Sequence, residues 1–267
     1  MTLLSTVATP TPAPTAAPIV SVRNVHKTYP GGVEALNDIS LDFPEGKLTT
    51  LLGPSGCGKT TLLKIIAGLL PATSGEVLVE GRPVTGPGPE RAFVFQDFAL
   101  MPWATVVRNV AFGLELRGMA RAEREAVAAR YIEQMGLRGF ESKYPHELSG
   151  GMRQRVGLAR ALAVNAKVLM MDEPFSAVDE QTRRKFQEDL LELVAKERKT
   201  FIFVTHSIEE AVYVSDRIVL LHRRPSRVHA IIEPNIRRDV DPEQIRRQPG
   251  YLDAVENIWQ SLKQYLD

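Results

Sequence analysis

Apolar and polar positions along this chain change rhythm several times, and each rhythm predicts a different element. Ile19-Val-Ser-Val22 and Val33 to Phe43 alternate in the manner of strands. Leu48-Thr-Thr-Leu-Leu52, Ala166 to Met171 and Thr200 to Thr205 are short apolar runs, the pattern of buried strands. Residues 74 to 95 predict further strands between Gly/Pro turns, including Gly86-Pro-Gly-Pro89. From about Thr105 to Ala163 the spacing turns helical, and Thr182 to Glu197 is helical between two strand-like runs. That succession predicts a parallel α/β core with right-handed crossovers. Tyr251 to Tyr265 carries Leu252, Val255, Ile258, Trp259 and Leu262 at helical spacing and predicts an amphipathic C-terminal helix. Residues 1 to 18, dominated by Thr, Ala and Pro, cannot bury enough apolar surface to fold and are expected to be a flexible tail. A signal peptide there is disfavoured by the missing basic start and by prolines where its apolar centre would lie.

Composition narrows the function classes. Lys and Arg number 33 and Asp and Glu 32, a net charge of +1, so there is no global drive towards nucleic acid or anionic lipid. The basic turn His222-Arg-Arg-Pro-Ser-Arg-Val-His229 is interspersed with acids further along and is expected to be solvated surface. Cys57 is the single cysteine, which excludes an intramolecular disulfide and fits a reducing compartment. No apolar run has the length of a membrane span, so a membrane role would come through a partner.

The most specific chemistry lies in Gly53-Pro-Ser-Gly-Cys-Gly-Lys-Thr60, which fits the phosphate-binding loop G-x-x-x-x-G-K-[ST]. A polyphosphate needs many close donors and no side chains in the way. Glycines at 53, 56 and 58 let backbone N–H groups curl around it. Lys59 can reach the β- and γ-phosphates, and the Thr60 hydroxyl can bind Mg²⁺. The preceding strand and the helix expected over Thr61 to Gly68 supply the right setting, with a positive helix start facing the anion.

Far downstream, Val168-Leu-Met-Met-Asp-Glu173 is an apolar strand ending in two acids. On its own, a buried strand followed by a solvated acidic turn explains it equally well. With a phosphate loop upstream, Asp172 is expected to hold Mg²⁺ and Glu173 to orient or deprotonate the attacking water. His206 ends the run Phe201-Ile-Phe-Val-Thr205, where ligands of open α/β sheets gather, and is expected at the γ-phosphate. Gln96 follows Ala92-Phe-Val-Phe95 and is expected at Mg²⁺ or the water by the same logic.

Leu148-Ser-Gly-Gly151 then opens a helix in which Ser149 is a suitable N-cap and Gly150 and Gly151 leave N–H groups open to an anion. In this order of motifs the chain resembles the nucleotide-binding subunit of ATP-binding cassette (ABC) transporters, from about Val20 to about Leu221. Tyr29 matches the family's adenine-stacking aromatic, Gly53 to Thr61 Walker A, Gln96 the Q-loop, Leu148 to Met152 the signature, Val168 to Glu173 Walker B, Ser176-Ala-Val-Asp179 the D-loop and His206 the switch histidine. Met152 stands where glutamine is usual. The resemblance implies a P-loop NTPase (RecA-like) α/β core with an antiparallel β subdomain and a helical subdomain inserted at about 99–165, the whole domain spanning 19–250. It implies ATP and Mg²⁺ as ligands, with nucleotide contacts from Tyr29, Gly53, Pro54, Ser55, Gly56, Cys57, Gly58, Lys59, Thr60 and Thr61. It also implies a head-to-tail homodimer in which Ser149, Gly150 and Gly151 contact the γ-phosphate held by the other copy and Asp179 shapes the opposite site.

The stretch from Gly86 through Trp103, together with Leu-Ser-Gly-Gly-Met-Arg-Gln-Arg155, is similar to the nitrate, sulfonate and taurine importer group. That likeness implies a peripheral ATPase on the cytoplasmic face of the inner membrane, docked on a separate permease and served indirectly by a solute-binding protein. Phe98, Leu100, Met101 and Trp103 are apolar enough to line the groove for a permease helix, and equally suited to subdomain core. A soluble ABC ATPase acting on nucleic acid or ribosomes is the alternative. It usually carries two cassettes, a coiled-coil insertion or zinc motifs, and none of these is found here.

Overall fold

The computed structural model describes residues 18–176 and 179–263. The expected tail up to residue 17, Ala177 and Val178 of the D-loop-like segment, and residues 264–267 at the chain end lie outside the described residues.

Two sheets organise the chain. Strands β1 (Pro18–Tyr29), β2 (Val33–Pro44), β4 (Ser74–Val79) and β5 (Arg82–Pro83) form an antiparallel sheet in the order β2-β1-β4-β5. Strands β3 (Leu48–Leu52), β6 (Arg91–Val94), β7 (Val168–Asp172), β8 (Thr200–Thr205), β9 (Arg217–Leu221) and β10 (Val228–Ile232) form the second, ordered β10-β9-β3-β8-β7-β6. It is parallel except for the edge strand β10. Between the two sheets runs α1 (Lys59–Ile66). Helices α2 (Val106–Leu116), α3 (Arg121–Gln134) and α4 (Gly150–Ala163) lie between β6 and β7 in the chain, and α5 (Glu180–Glu197) and α6 (Ile208–Val214) flank β8. The short α7 (Pro242–Ile245) and the longer α8 (Pro249–Lys263) follow β10.

The central strands are apolar throughout because both faces are covered, and alternate residues serve different cores. Leu169, Met171, Phe201, Phe203, Ile218 and Leu220 face the core shared with the helices. Their neighbours Val168, Met170, Ile202, Val204, Val219 and Leu221 face the core shared with α1 and the antiparallel sheet. Leu62, Leu63, Ile65 and Ile66 bury the apolar stripe of α1 in that second core. A one-residue slip of any central strand would exchange the two sets, so the register is fixed by side-chain size on both sides. Register fixes where each strand ends, and the strand ends carry the chemistry.

The helical region is less continuous than its periodicity suggests. Gly136, at φ +67°, follows the end of α3, and the chain makes a single 3₁₀ turn at Pro145–Glu147 before α4. The helix after the phosphate loop begins at Lys59, two residues earlier than its apolar spacing indicates.

Candidate active site

The loop from β3 to α1 is shaped by two glycine effects. A side chain on Gly53 would place its Cβ 2.8 Å from the Leu221 carbonyl oxygen, so the loop can pass β9 only without one. Gly58 sits at φ +108° as the N-cap of α1, with no side-chain hydrogen bond to the helix start. No acidic residue occupies the first turn of α1. The first N–H groups of a helix lack internal partners, and here neither a cap nor a carboxylate serves them. Buried Lys59 donates from Nζ to the carbonyls of Gly53 (2.8 Å) and Pro54 (3.0 Å), which holds the loop closed around its ammonium group. The result is a cleft of about 290 Å³ lined by Tyr29, Ala35, Ser55, Gly56, Gly58, Lys59, Thr60, Thr61, Glu173 and Arg224.

Two acids close the far side. Thr60 Oγ1 donates to Asp172 Oδ1 at 2.8 Å, which joins the start of α1 to the end of β7. Burial raises the Asp172 carboxyl above the ordinary aspartate range; the Thr60 hydrogen bond opposes this and the Glu173 charge adds to it. A hydroxyl and a carboxylate set side by side form an oxygen donor pair suited to a hard divalent cation. Glu173 adopts φ +45°, a left-handed conformation unusual for a glutamate, and turns its side chain into the cleft. Its Oε2 lies 3.2 Å from His206 Nδ1, and its backbone carbonyl accepts from Ser176 Oγ at 2.9 Å. Ser176 Oγ in turn accepts from Gln96 Nε2 at 3.3 Å. The histidine is steadied from behind. Thr205 Oγ1 donates to buried Glu210 at 2.5 Å and accepts from the Ser207 N–H, pinning the strand end that carries His206. Burial also raises the Glu210 carboxyl, against the Thr205 hydrogen bond and the nearby Arg183.

An uncapped helix start, a loop lysine, a hydroxyl–carboxylate pair and a half-buried glutamate are the groups that a phosphorylated nucleotide would need. Comparison with known proteins agrees. The ABC transporter family matches residues 36–176. The chain belongs to the ABC transporter family. It is 52% identical over 225 residues to an uncharacterized ABC transporter ATP-binding protein of Methanocaldococcus jannaschii, covering 83% of this chain and 84% of that one. It is 44% identical over 234 residues to a taurine import ATP-binding protein of Rhizobium johnstonii, covering 86% and 89%. A dimeric ATP-binding cassette solved in a post-hydrolysis state with ADP and Pi superposes with TM-score 0.72 at 33% identity, covering 80% of this chain and 98% of that chain. The protein is thus the ATP-binding subunit of an ABC transporter, and an ATPase.

In this ABC ATPase the remaining predicted residues fall into three groups. Cys57 lies in the loop, but its side chain is buried in the core between the sheets and its thiol is raised by that burial, so only its backbone can serve a phosphate. Tyr29 lines the cleft and its hydroxyl is 3.1 Å from Thr61 Oγ1. Ser149, Gly150 and Gly151 are elsewhere, at the start of α4, where Ser149 Oγ accepts from the Met152 N–H at 3.2 Å. Asp179 likewise caps α5, accepting from the Thr182 N–H and hydroxyl, and these bonds hold its carboxyl below the usual range. The apolar stretch after Gln96 divides. Phe98 is core rather than groove: Phe98 and Ala99 are both left-handed, at φ +61° and +41°, and Arg160 donates to both their carbonyls. That turn sends the Phe98 ring against Gly157 of α4. Trp103 is 75% exposed. Sequence reasoning missed Arg224 and the Thr205–Glu210 pair, whose roles exist only once distant segments meet.

Proposed function

We propose that this ABC ATPase subunit powers import of a small anionic solute of the nitrate, sulfonate or taurine kind. Two copies would pair head to tail on a separate permease at the cytoplasmic face of the inner membrane. The observation that carries this reading is the divided site. The phosphate loop and Glu173 share one cleft, with Asp172 hydrogen-bonded to Thr60 of that loop, whereas the signature residues open a different helix of the same chain. A nucleotide gripped by both needs two copies. The taurine importer of Rhizobium johnstonii and the nitrate import protein of Synechococcus elongatus, 41% identical over 252 residues, support the solute class. The latter match covers 92% of this chain and 38% of that protein.

ATP would lie along the start of α1, its base against Tyr29 and its phosphates on Ser55 through Thr61. Thr60, Asp172 and Gln96 would hold Mg²⁺, which supplies positive charge to the phosphate oxygens. Glu173 accepts the proton of a water attacking the γ-phosphorus. As the new P–O bond forms, the bond to the bridging oxygen breaks, leaving ADP and inorganic phosphate. His206, hydrogen-bonded to Glu173, keeps that carboxylate aimed at the water. The partner's copies of Ser149, Gly150 and Gly151 would close over the γ-phosphate. Exposed Trp103 and the neighbouring cleft of about 430 Å³ between α2 and α3, edged by Arg108, Glu115 and Arg124, support permease docking on that flank.

The test is capture of the loaded complex. Glu173→Gln should bind ATP while losing about 10²–10⁴-fold in turnover. Tagged, held in ATP and extracted from membranes in mild detergent, it should bring down a polytopic membrane protein in a two-to-two ratio. A homodimer carrying RNA or ribosomal proteins would overturn the transporter reading, and near-normal turnover would remove Glu173 as the base.

A further inference from the structure

The loop between β9 and β10 reaches back across the molecule to the nucleotide cleft. It is fastened there rather than draped. The Ser226 N–H donates to the Ala35 carbonyl at 2.9 Å, and the Asn37 N–H donates to the Ser226 carbonyl at 2.9 Å. Arg227 Nη2 donates to Asn37 Oδ1 at 3.2 Å, and the loop closes on itself through the His222 N–H and the Arg227 carbonyl at 3.0 Å. Ser226 Cβ stands 3.5 Å from where a Cβ on Gly58 would be, so the loop abuts the start of α1 itself. Two residues from that anchor, Arg224 lines the same cleft as Lys59, Thr60 and Thr61.

Arg224 is exposed, and among the described residues it forms no hydrogen bond or ion pair. Arg82 and Arg198 likewise form no side-chain hydrogen bond or ion pair among the described residues, so what sets Arg224 apart is its place in the lining of the cleft. Lys59 and Arg224 are the cations lining the cleft, and two of the three Lys59 donors are already directed at loop carbonyls. Glu173 also lines the cleft and Asp172 is hydrogen-bonded to Thr60 beside it, so two carboxyl groups lie near the same space. A polyanion entering this cleft therefore needs a second cation, and a guanidinium offers it several donors in a fixed fork.

We infer that Arg224 is a nucleotide-binding residue that contacts the phosphate chain of the bound nucleoside polyphosphate. This rests on the assignment of the cleft as the ATP site. The β9–β10 loop thus acts as an arm of the site: its anchor at Ala35 and Asn37 sets the distance, and its guanidinium adds a second cation to the lining that Lys59 shares.

The experiment is titration of the full-length wild type, Arg224→Ala and Arg224→Lys with ATP, ADP and AMP in the presence of Mg²⁺, by calorimetry at two salt concentrations. Arg224→Ala should bind ATP and ADP about three- to tenfold more weakly, with a smaller change for AMP and a shallower salt dependence. Arg224→Lys should recover part of the loss. Because the side chain has no partner in the nucleotide-free chain, the melting temperature without nucleotide should be unchanged, and a matched pair of melting curves checks this. Unaltered ATP and ADP affinity in Arg224→Ala would overturn the inference while leaving the site intact. A loss equal for AMP, ADP and ATP would overturn the phosphate contact. Absence of ATP binding by the wild type would remove the nucleotide assignment and this inference with it.

Discussion

Two helix starts in this chain carry the same apparent invitation to an anion, and they answer it differently. At α1 the cap is Gly58, without a side chain, in a backbone conformation that leaves the first N–H groups open. At α4 the cap is Ser149, whose hydroxyl accepts from the Met152 N–H and so satisfies one of the first N–H groups from within. The first helix start is surrounded by Lys59, Thr60, Asp172 and Glu173. The second has small residues and no cleft of its own among those described, with Gly151 close to Thr182. On the proposed head-to-tail pairing, the first end would receive the phosphates within one chain, and the second would be half of a contact completed by a phosphate held in the other copy.

Altering the caps is the most direct way to break that comparison. Gly58→Ala should have the largest effect. Its Cβ would lie 2.9 Å from Leu36 Cδ2 and 3.1 Å from the Ala35 carbonyl, at a φ of +108° that L residues rarely adopt. Backbone strain and overpacking together predict a loss of about 2–5 kcal/mol in denaturant unfolding, with ATP binding abolished. Lys59→Ala is gentler on the fold and harsher on the ligand. Removing a charged donor should weaken ATP by roughly one to two orders of magnitude in a single copy, measured by calorimetry. Undiminished affinity would show that the α1 start does not depend on its lysine.

Ser149→Ala separates the two ends. It should cost about 1 kcal/mol of stability through the lost cap and leave ATP affinity of the isolated chain unchanged. ATP-driven dimerisation, followed by light scattering in the Glu173→Gln background, should weaken. If ATP affinity of the monomer fell instead, the division between a complete and an incomplete site would be wrong.

The same contrast explains what could be read in the sequence. The phosphate loop was legible because its requirements are local: close backbone approach, an unhindered turn and a lysine at fixed spacing leave their trace in consecutive residues. The buried strands were legible because covered sheets need unbroken apolar runs. Phe98 was not, since its two-residue left-handed turn and the gap at Gly157 decide which way the ring points, and neither shows in an apolar stretch. Arg224 was legible as a basic turn and nothing more. Its meaning depends on Ser226 reaching Ala35 and Asn37, some 190 residues earlier in the chain. Cys57 is the reverse case, a motif position whose side chain serves the core while its backbone stays in the loop.

The smallest predicted effect probes why the receptor end is poised rather than relaxed. Asp172 is buried beside Thr60 with its carboxyl raised above the ordinary aspartate range, chiefly by that burial. The folded chain therefore holds the proton more tightly than the unfolded chain does, and stability falls as pH rises from the ordinary aspartate value through the raised one. Above both values the charged form opposes folding, and below both the penalty vanishes. Asp172→Asn keeps an acceptor for the Thr60 hydroxyl and removes the charge. It should raise the melting temperature of the nucleotide-free protein by a few degrees near neutral pH, with the gain shrinking as the solution is acidified. The same variant should lose Mg²⁺-dependent hydrolysis, because the carboxylate that strains the free protein is the one a cation would need. A gain that stayed constant with pH would mean that Asp172 is not the titrating group, and a loss of stability would mean its charge is already compensated in the folded chain. Either result would bring the two helix starts closer together: the α1 end would then be a satisfied structure like α4, and not one held open for a ligand.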